Sequence, residues 1–191
     1  EPCKATGWRR MTLAERAAFV LTLWPYMVPL FVVYLAEYVM QAGAWSAMGF
    51  PPESLAARDE FYRFANLCYQ GGVFISRSSG LLVSLSLGTL WLLPALQAGL
   101  LAFFICDALY MFWYDWSVLP LCVCAGLLGG AVYVQGFAIL SRDALPGKKE
   151  LALSAACMAG DMGVATASLL GVLVQGCIYR YHNLANASWH C

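Results

Sequence analysis

The chain has 191 residues, of which 61% are hydrophobic and 12% charged, whereas an ordinary soluble domain carries about a quarter charged residues. Eleven basic and eleven acidic side chains cancel, so no global field draws the chain to nucleic acid, and any functional charge is local. The composition suits a lipid bilayer, which a helix crosses with about 20 apolar residues.

In chain order, residues 1–16 form a basic segment containing Lys4, Arg9, Arg10 and Arg16. Five apolar windows follow, at 17–41, 59–79, 86–109, 117–140 and 150–179, joined by GFPPES, SSG, YDWS and SRDALPGKKE. Their turn chemistry predicts an all-α, polytopic, up-and-down bundle of about five transmembrane helices, with 180–191 as a short tail. The first residue is Glu1 and no signal pattern opens the chain, so a fragment or processed form of something longer is expected.

Lysine and arginine counts set the expected sidedness. Lys4, Arg9, Arg10, Arg16, Arg77, Arg142, Lys148 and Lys149 share one face, and Arg58, Arg63 and Arg180 the other, which puts the amino terminus in the cytosol and the tail in a lumen. The aromatic run Tyr110 to Trp116 falls on the lumenal side as a headgroup belt. So does Asn186-Ala187-Ser188, an N-glycosylation acceptor pattern.

Of the eight cysteines, Cys68, Cys106, Cys122, Cys124 and Cys157 lie within or at the edges of apolar runs and read as small buried hydrophobes. Cys3, Cys177 and Cys191 remain as bridge formers. No metal site, cofactor loop or catalytic constellation is recognisable, and no enzymatic activity is expected.

Charges inside a bilayer are costly, so each is a functional candidate. Asp161, in ACMAGDMGVATAS, falls near the middle of the last window among small residues, including Gly163, that let another helix approach. It reads either as a proton-coupling or substrate-charge group, or as a neutral acid bonded to a neighbouring helix. Glu37 sits about 30 Å of helix beyond Ala17, where it reads as a vestibule acceptor or as the lumenal end of its span. Tyr62, Asn66, Tyr69 or Gln70, Val73 and Arg77 form a stripe at helical spacing that suits a wet cavity or a protein partner. Arg77 reads as a headgroup anchor or a site residue, too far along the axis to pair with Glu37. Gln135 and Tyr133 add hydrogen-bonding capacity on the fourth helix, whose Gly126-x-x-x-Gly130 spacing permits close helix contact.

The blocks VPLFVVYLAEYVMQAG, CYQGGVFISRSSG, GLLGGAVYVQGF and KELALSAACMAGDMGVATASLLGVL resemble the carboxyl-terminal half of the battenin family. The order and spacing match over about residues 20 to 175. That resemblance implies an endolysosomal or vacuolar multi-pass protein similar to major-facilitator transporters, linked to lysosomal pH and to export of small polar metabolites such as basic amino acids or glycerophosphodiesters. Glu37, Arg77 and Asp161 each fall on a charged position of the family motifs; Ala125 and Gln135 depart from its usual acidic residue and Asn. The implied solute or proton path comprises Asp161, Glu37, Gln70, Arg77 and Gln135. Its implied partners are the bilayer, an amino-terminal half or second subunit, and a small polar solute with protons. A non-transporting scaffold or trafficking protein is the alternative. In that case Tyr62, Asn66 and Gln70 are packed within the chain.

Overall fold

A computed structural model describes residues 11–79 and 85–184. Every element among them is helical, as the apolar windows predict: α1 (Leu13–Thr22), α2 (Trp24–Val39), α3 (Leu55–Ser79), α4 (Leu87–Tyr110), α5 (Leu119–Asp143) and α6 (Lys149–Tyr181).

The window expected at 17–41 is not one helix. α1 opens on a capping box in which Thr12 Oγ1 accepts from the Glu15 N–H at 3.3 Å and Glu15 accepts from the Thr12 N–H at 2.7 Å. It stops at Leu23 (φ −86°, ψ 4°), and α2 restarts with Pro25 in its first turn. A proline lacks the N–H needed to continue the preceding ladder but is well suited to a helix's first turn. Beyond Val39 the helix runs on through a π turn (Met40–Ala44) and a 3₁₀ turn (Trp45–Ala47). The apolar segment is therefore Trp24–Ala47, shifted nearly two turns later than the sequence reading placed it.

Four segments are long and apolar enough to cross a membrane: Trp24–Ala47, Leu87–Tyr110, Trp116–Asp143 and Lys149–Tyr181. The expected second span, α3, is long enough but fails on apolarity, because Arg58, Asp59, Glu60 and Arg63 crowd its first turns and Arg77 its last. It packs lengthwise on α5, in parallel. A Cβ on Gly72 would meet the backbone at Val123 and Leu127, one on Gly126 the Tyr69 carbonyl, and one on Gly130 the Val73 carbonyl and Ser76. Close backbone approach of this kind requires residues without side chains.

α2 occupies the centre. It runs parallel to α6, where Gly160 and Gly163 receive Tyr34 and Gly171 receives Ala42. It is also parallel to α4, through the edge contacts Trp24–Trp91 (5.7 Å) and Trp45–Phe104 (5.5 Å). Against α5 it is antiparallel, with Glu37 at Gly129 and Leu30 at Gly136. Chain direction alternates as expected, but the tightest neighbours are parallel pairs, not successive helices.

One end is closed by rings: Phe50 meets Tyr114 at 4.8 Å, Phe61 at 5.3 Å and Trp116 at 5.4 Å. Tyr114 is half-buried in this cluster, while Trp116 sits at its edge and stays exposed, as do Tyr110, Phe112 and Trp113. Leu67, Phe74, Ile75, Met158, Met162 and Leu169 also point outward, the arrangement of a bundle whose solvent is apolar. Among the cysteines, Cys122 is buried, but Cys106, Cys124 and Cys157 face outward, correcting the buried reading for those three. Cys177 is disulfide-bonded. Asn186 and the rest of the tail beyond residue 184 lie outside the described residues.

Candidate functional site

Glu37 is placed by the break at Leu23. Counted from Trp24 it lies about 20 Å along the segment, with about 15 Å remaining to Ala47, so it is central and not at the end of its span. It is 1% exposed. Oε2 accepts a hydrogen bond from the Tyr69 hydroxyl at 3.1 Å, and Oε1 occupies the space where a Gly129 side chain would otherwise project. The sequence leaves room for this acid by omitting a Cβ on the facing helix.

Arg77 is nearer to this acid than axial counting suggested. Its guanidinium carbon lies 4.4 Å from the centre of the Tyr133 ring, within electrostatic reach of Glu37, Tyr34 and Tyr38. The discrepancy comes from two displacements: Glu37 is deeper than expected, and the long Arg77 side chain lies over α5. Tyr34 and Tyr38 are half-buried and stack at 6.3 Å.

Asp161 lies about 18 Å into α6 and is exposed. It opens onto a cleft of about 290 Å³ whose other walls include Tyr34, Tyr38, Tyr133 and Phe137. Gly160 stands under the Tyr34 ring, 3.3 Å from where its Cβ would be, which lets the tyrosines lie close to α6. The cleft thus has an acid on one wall, three phenols across its floor, and a guanidinium over the outermost ring.

Gln70 is exposed and joins Phe74, Arg77 and Ser78 around a shallower groove of about 390 Å³ beside the cleft. Tyr69 and Val73, in the same stripe, turn inward instead. Gln135 is not among the residues lining this cleft: it is 3% exposed, and its Oε1 accepts from the Leu85 N–H at 3.1 Å. That bond ties α5 to the segment leading into α4. Gly126, Gly130 and Gly163 lie at helix contacts, the last against the Phe31 carbonyl.

Several buried polar groups escaped the sequence reading. Asp107, fully buried, accepts from the Trp113 N–H at 2.7 Å and so orders the turn after α4. Arg58 is 5% exposed, bonded to the Pro52 carbonyl and set 5.1 Å from the Tyr179 ring centre. Gln41 and Gln97 are buried too. The available signal for Gln41 was its four-residue step from Glu37; an isolated Gln97 offered none.

Over residues 4–181 the sequence matches the family described as CLN3 protein. The chain belongs to the CLN3 protein family. Its similarity to battenin of Canis lupus familiaris is 35% identity over 164 residues, covering 85% of this chain and 36% of battenin. Against Protein BTN1 of Eremothecium gossypii it is 31% over 188 residues, covering 94% and 45%. Against Protein BTN1 of Saccharomyces cerevisiae it is 32% over 178 residues, covering 87% and 43%. The chain therefore spans less than half the length of these relatives. No solved structure matches it. Family membership and four apolar crossing-length helices together make this a multi-pass membrane protein of the CLN3 family.

Proposed function

We infer that the chain is the carboxyl-terminal part of a lysosomal or vacuolar secondary transporter, and that its cleft binds a small polar solute. The observation that carries this is the cleft itself, where the Asp161 carboxylate, the phenols of Tyr34, Tyr38 and Tyr133, and the Arg77 guanidinium converge within one membrane-spanning bundle. Opposite charges on an aromatic floor suit a solute carrying both an ammonium and an anionic group, as basic amino acids and some glycerophosphodiesters do. Since five long helices supply one wall, the facing wall comes from the remainder of the longer protein or from a second subunit, as in transporters that rock two halves about a central site. The amino terminus lies in the cytosol and the tail in the lumen, on the lysine and arginine count.

Asp161 is the proton-coupling or substrate-charge group. In the full-length protein in proteoliposomes, Asp161→Asn abolishes the pH dependence of solute flux while leaving the fold intact. Unchanged flux across the pH series removes Asp161 from the mechanism. A scaffold role is less well supported, because it expected Tyr62, Asn66 and Gln70 to be packed away. Asn66 is half-buried and bonded to the Tyr62 carbonyl, whereas Tyr62 and Gln70 remain exposed.

A further inference from the structure

The groove of about 390 Å³ beside the cleft is walled by Gln70, Val73, Phe74, Arg77 and Ser78, all from α3. Gln70 and Arg77 stand about two turns apart on one face of that helix. Arg77 holds its guanidinium carbon 4.4 Å from the centre of the Tyr133 ring. A stacked guanidinium meets the ring with its flat face and keeps its N–H edges free to donate. Gln70, Arg77 and Ser78 are exposed, and none of the three side chains makes a hydrogen bond among the described residues. A guanidinium edge, an amide and a hydroxyl around one groove are donors suited to an oxyanion such as a carboxylate or a phosphodiester. No carboxylate lines the groove, so a cation finds no counter-charge there.

Arg77 has no bonded acid among the described residues; the carboxylate within its electrostatic reach that is enclosed by the bundle is Glu37. Glu37 is 1% exposed and seated where Gly129 lacks a Cβ, with Oε1 unpartnered among the described residues. The two charges therefore feel each other without a bond between them. An anion bound at Arg77 sets a second negative charge near Glu37 in a water-poor interior, where Coulomb repulsion is weakly screened. That repulsion is relieved when Glu37 gains a proton.

We propose that Gln70, Arg77 and Ser78 form an oxyanion subsite for the solute, and that Glu37 takes up a proton when the anion binds there. The subsite rests on the transport reading for the identity of its occupant, but the linkage is a property of binding alone.

The titratable and charged groups around Glu37 are Tyr34 and Tyr38 on its own helix, Tyr69 and Arg77 from α3, Tyr133 from α5 beyond Tyr34, and Asp161 from α6 across the cleft. α4 carries no charged side chain short of Asp107, near its end. With Glu37 ionised, the groove sees a guanidinium whose field is partly cancelled; with Glu37 protonated, it sees the full cation. The anion therefore binds more tightly at low pH, and its affinity falls as pH rises through the Glu37 titration. By reciprocity, binding draws in up to one proton per anion. That proton leaves hydronium or a buffer acid and bonds to a Glu37 carboxylate oxygen, leaving water or the buffer base, while the anion makes hydrogen bonds only. Linkage is an equilibrium property and requires no fixed route to the buried oxygen.

The test uses the full-length protein, delipidated in maltoside micelles that contain no phosphate, and methanesulfonate as a probe that keeps one negative charge throughout a pH series. Calorimetric titration in two buffers of different ionisation enthalpy reads the protons taken up per anion bound. Wild-type affinity is expected to fall by about fivefold or more as pH rises, with proton uptake through that transition. Glu37→Gln binds tightly at every pH and takes up no proton. Arg77→Met weakens binding by about tenfold or more, and Gln70→Leu weakens it less while leaving the proton count unchanged. Binding without proton uptake in the wild type, or uptake that persists in Glu37→Gln, overturns the linkage; unchanged binding in Arg77→Met overturns the subsite. If Glu37→Gln fails to fold, the protonated-carboxyl infrared band that methanesulfonate raises in the wild type carries the test, and its absence overturns the linkage. Phosphatidylglycerol is the second titrant: binding of this lipid with none of methanesulfonate assigns the donors to a headgroup and overturns the solute subsite. Proton-linked binding without solute flux in proteoliposomes supports the subsite and overturns the transport reading, whereas flux with no methanesulfonate binding overturns the subsite alone.

Discussion

Replacing Tyr69 by Phe removes one oxygen and leaves its ring edge-on to Trp45, 6.2 Å away, so the change isolates the hydroxyl. That hydroxyl donates to Glu37 Oε2 at 3.1 Å, and Oε1 has no partner among the described residues. The variant therefore leaves a fully buried carboxyl without either bond. Side-chain hydrogen bonds within membrane proteins average about 0.6 kcal/mol, with a maximum of about 1.7, while bonds to ionised groups in general contribute about 1.5–3 kcal/mol. With Arg77 in electrostatic reach, a coupling of about 1–2 kcal/mol is expected. The assay is a double-mutant cycle of Tyr69→Phe with Glu37→Met, read by unfolding of the full-length protein in nanodiscs. A coupling below about 0.3 kcal/mol, smaller than the usual error of additivity, refutes the view that Tyr69 and Glu37 act as a bonded pair.

Two glycines of the α3–α5 pair should respond oppositely. Gly126→Ala drives a Cβ into the Tyr69 carbonyl, which is backbone and cannot turn aside; destabilisation of about 1–3 kcal/mol or more is expected. Gly71→Ala meets nothing within 4 Å and gains helix propensity of up to about 1 kcal/mol; thermal unfolding of the two variants side by side is the check, and equal effects contradict the packing. At the start of α1, hydrogen bonding from the Thr12 backbone, then from its side chain, holds the Glu15 carboxyl below its ordinary value of 4.5. Because the folded value is depressed, the cap's stabilisation is present above 4.5 and fades as pH falls through the folded value. Amide protection at the first turn of α1 should therefore decline between about pH 5 and 3, and flat protection across that range argues against the capping box.

The geometry separates two acids that look alike in sequence. Glu37 is enclosed, bonded to Tyr69 and opposite a glycine; Asp161 opens onto a cleft with three phenols. Arg77 connects them through Tyr133. A substitution at either acid therefore perturbs different physics: loss of an internal pair at Glu37, and loss of a cleft-facing charge at Asp161.

The amino-acid order alone determined that the chain is helical, that bilayer lipid is its natural surroundings, and which family it joins. Those properties depend on local composition, hydrophobic run length and short motifs, all of which survive without knowing what packs on what. It also singled out Asp161, Glu37 and Arg77, because a charge in an apolar run is conspicuous wherever it ends up. Only the tertiary structure decided that Glu37 lies at mid-segment, since Pro25 restarts the helix at Trp24 and the π and 3₁₀ turns carry it to Ala47. Only it could assign Gln135 to the Leu85 amide, and split the α3 stripe into inward Tyr69 and outward Gln70. Those outcomes depend on the rotation and register of parallel helices distant in sequence, and it is the glycines at their contacts, meeting backbone from another element, that set them.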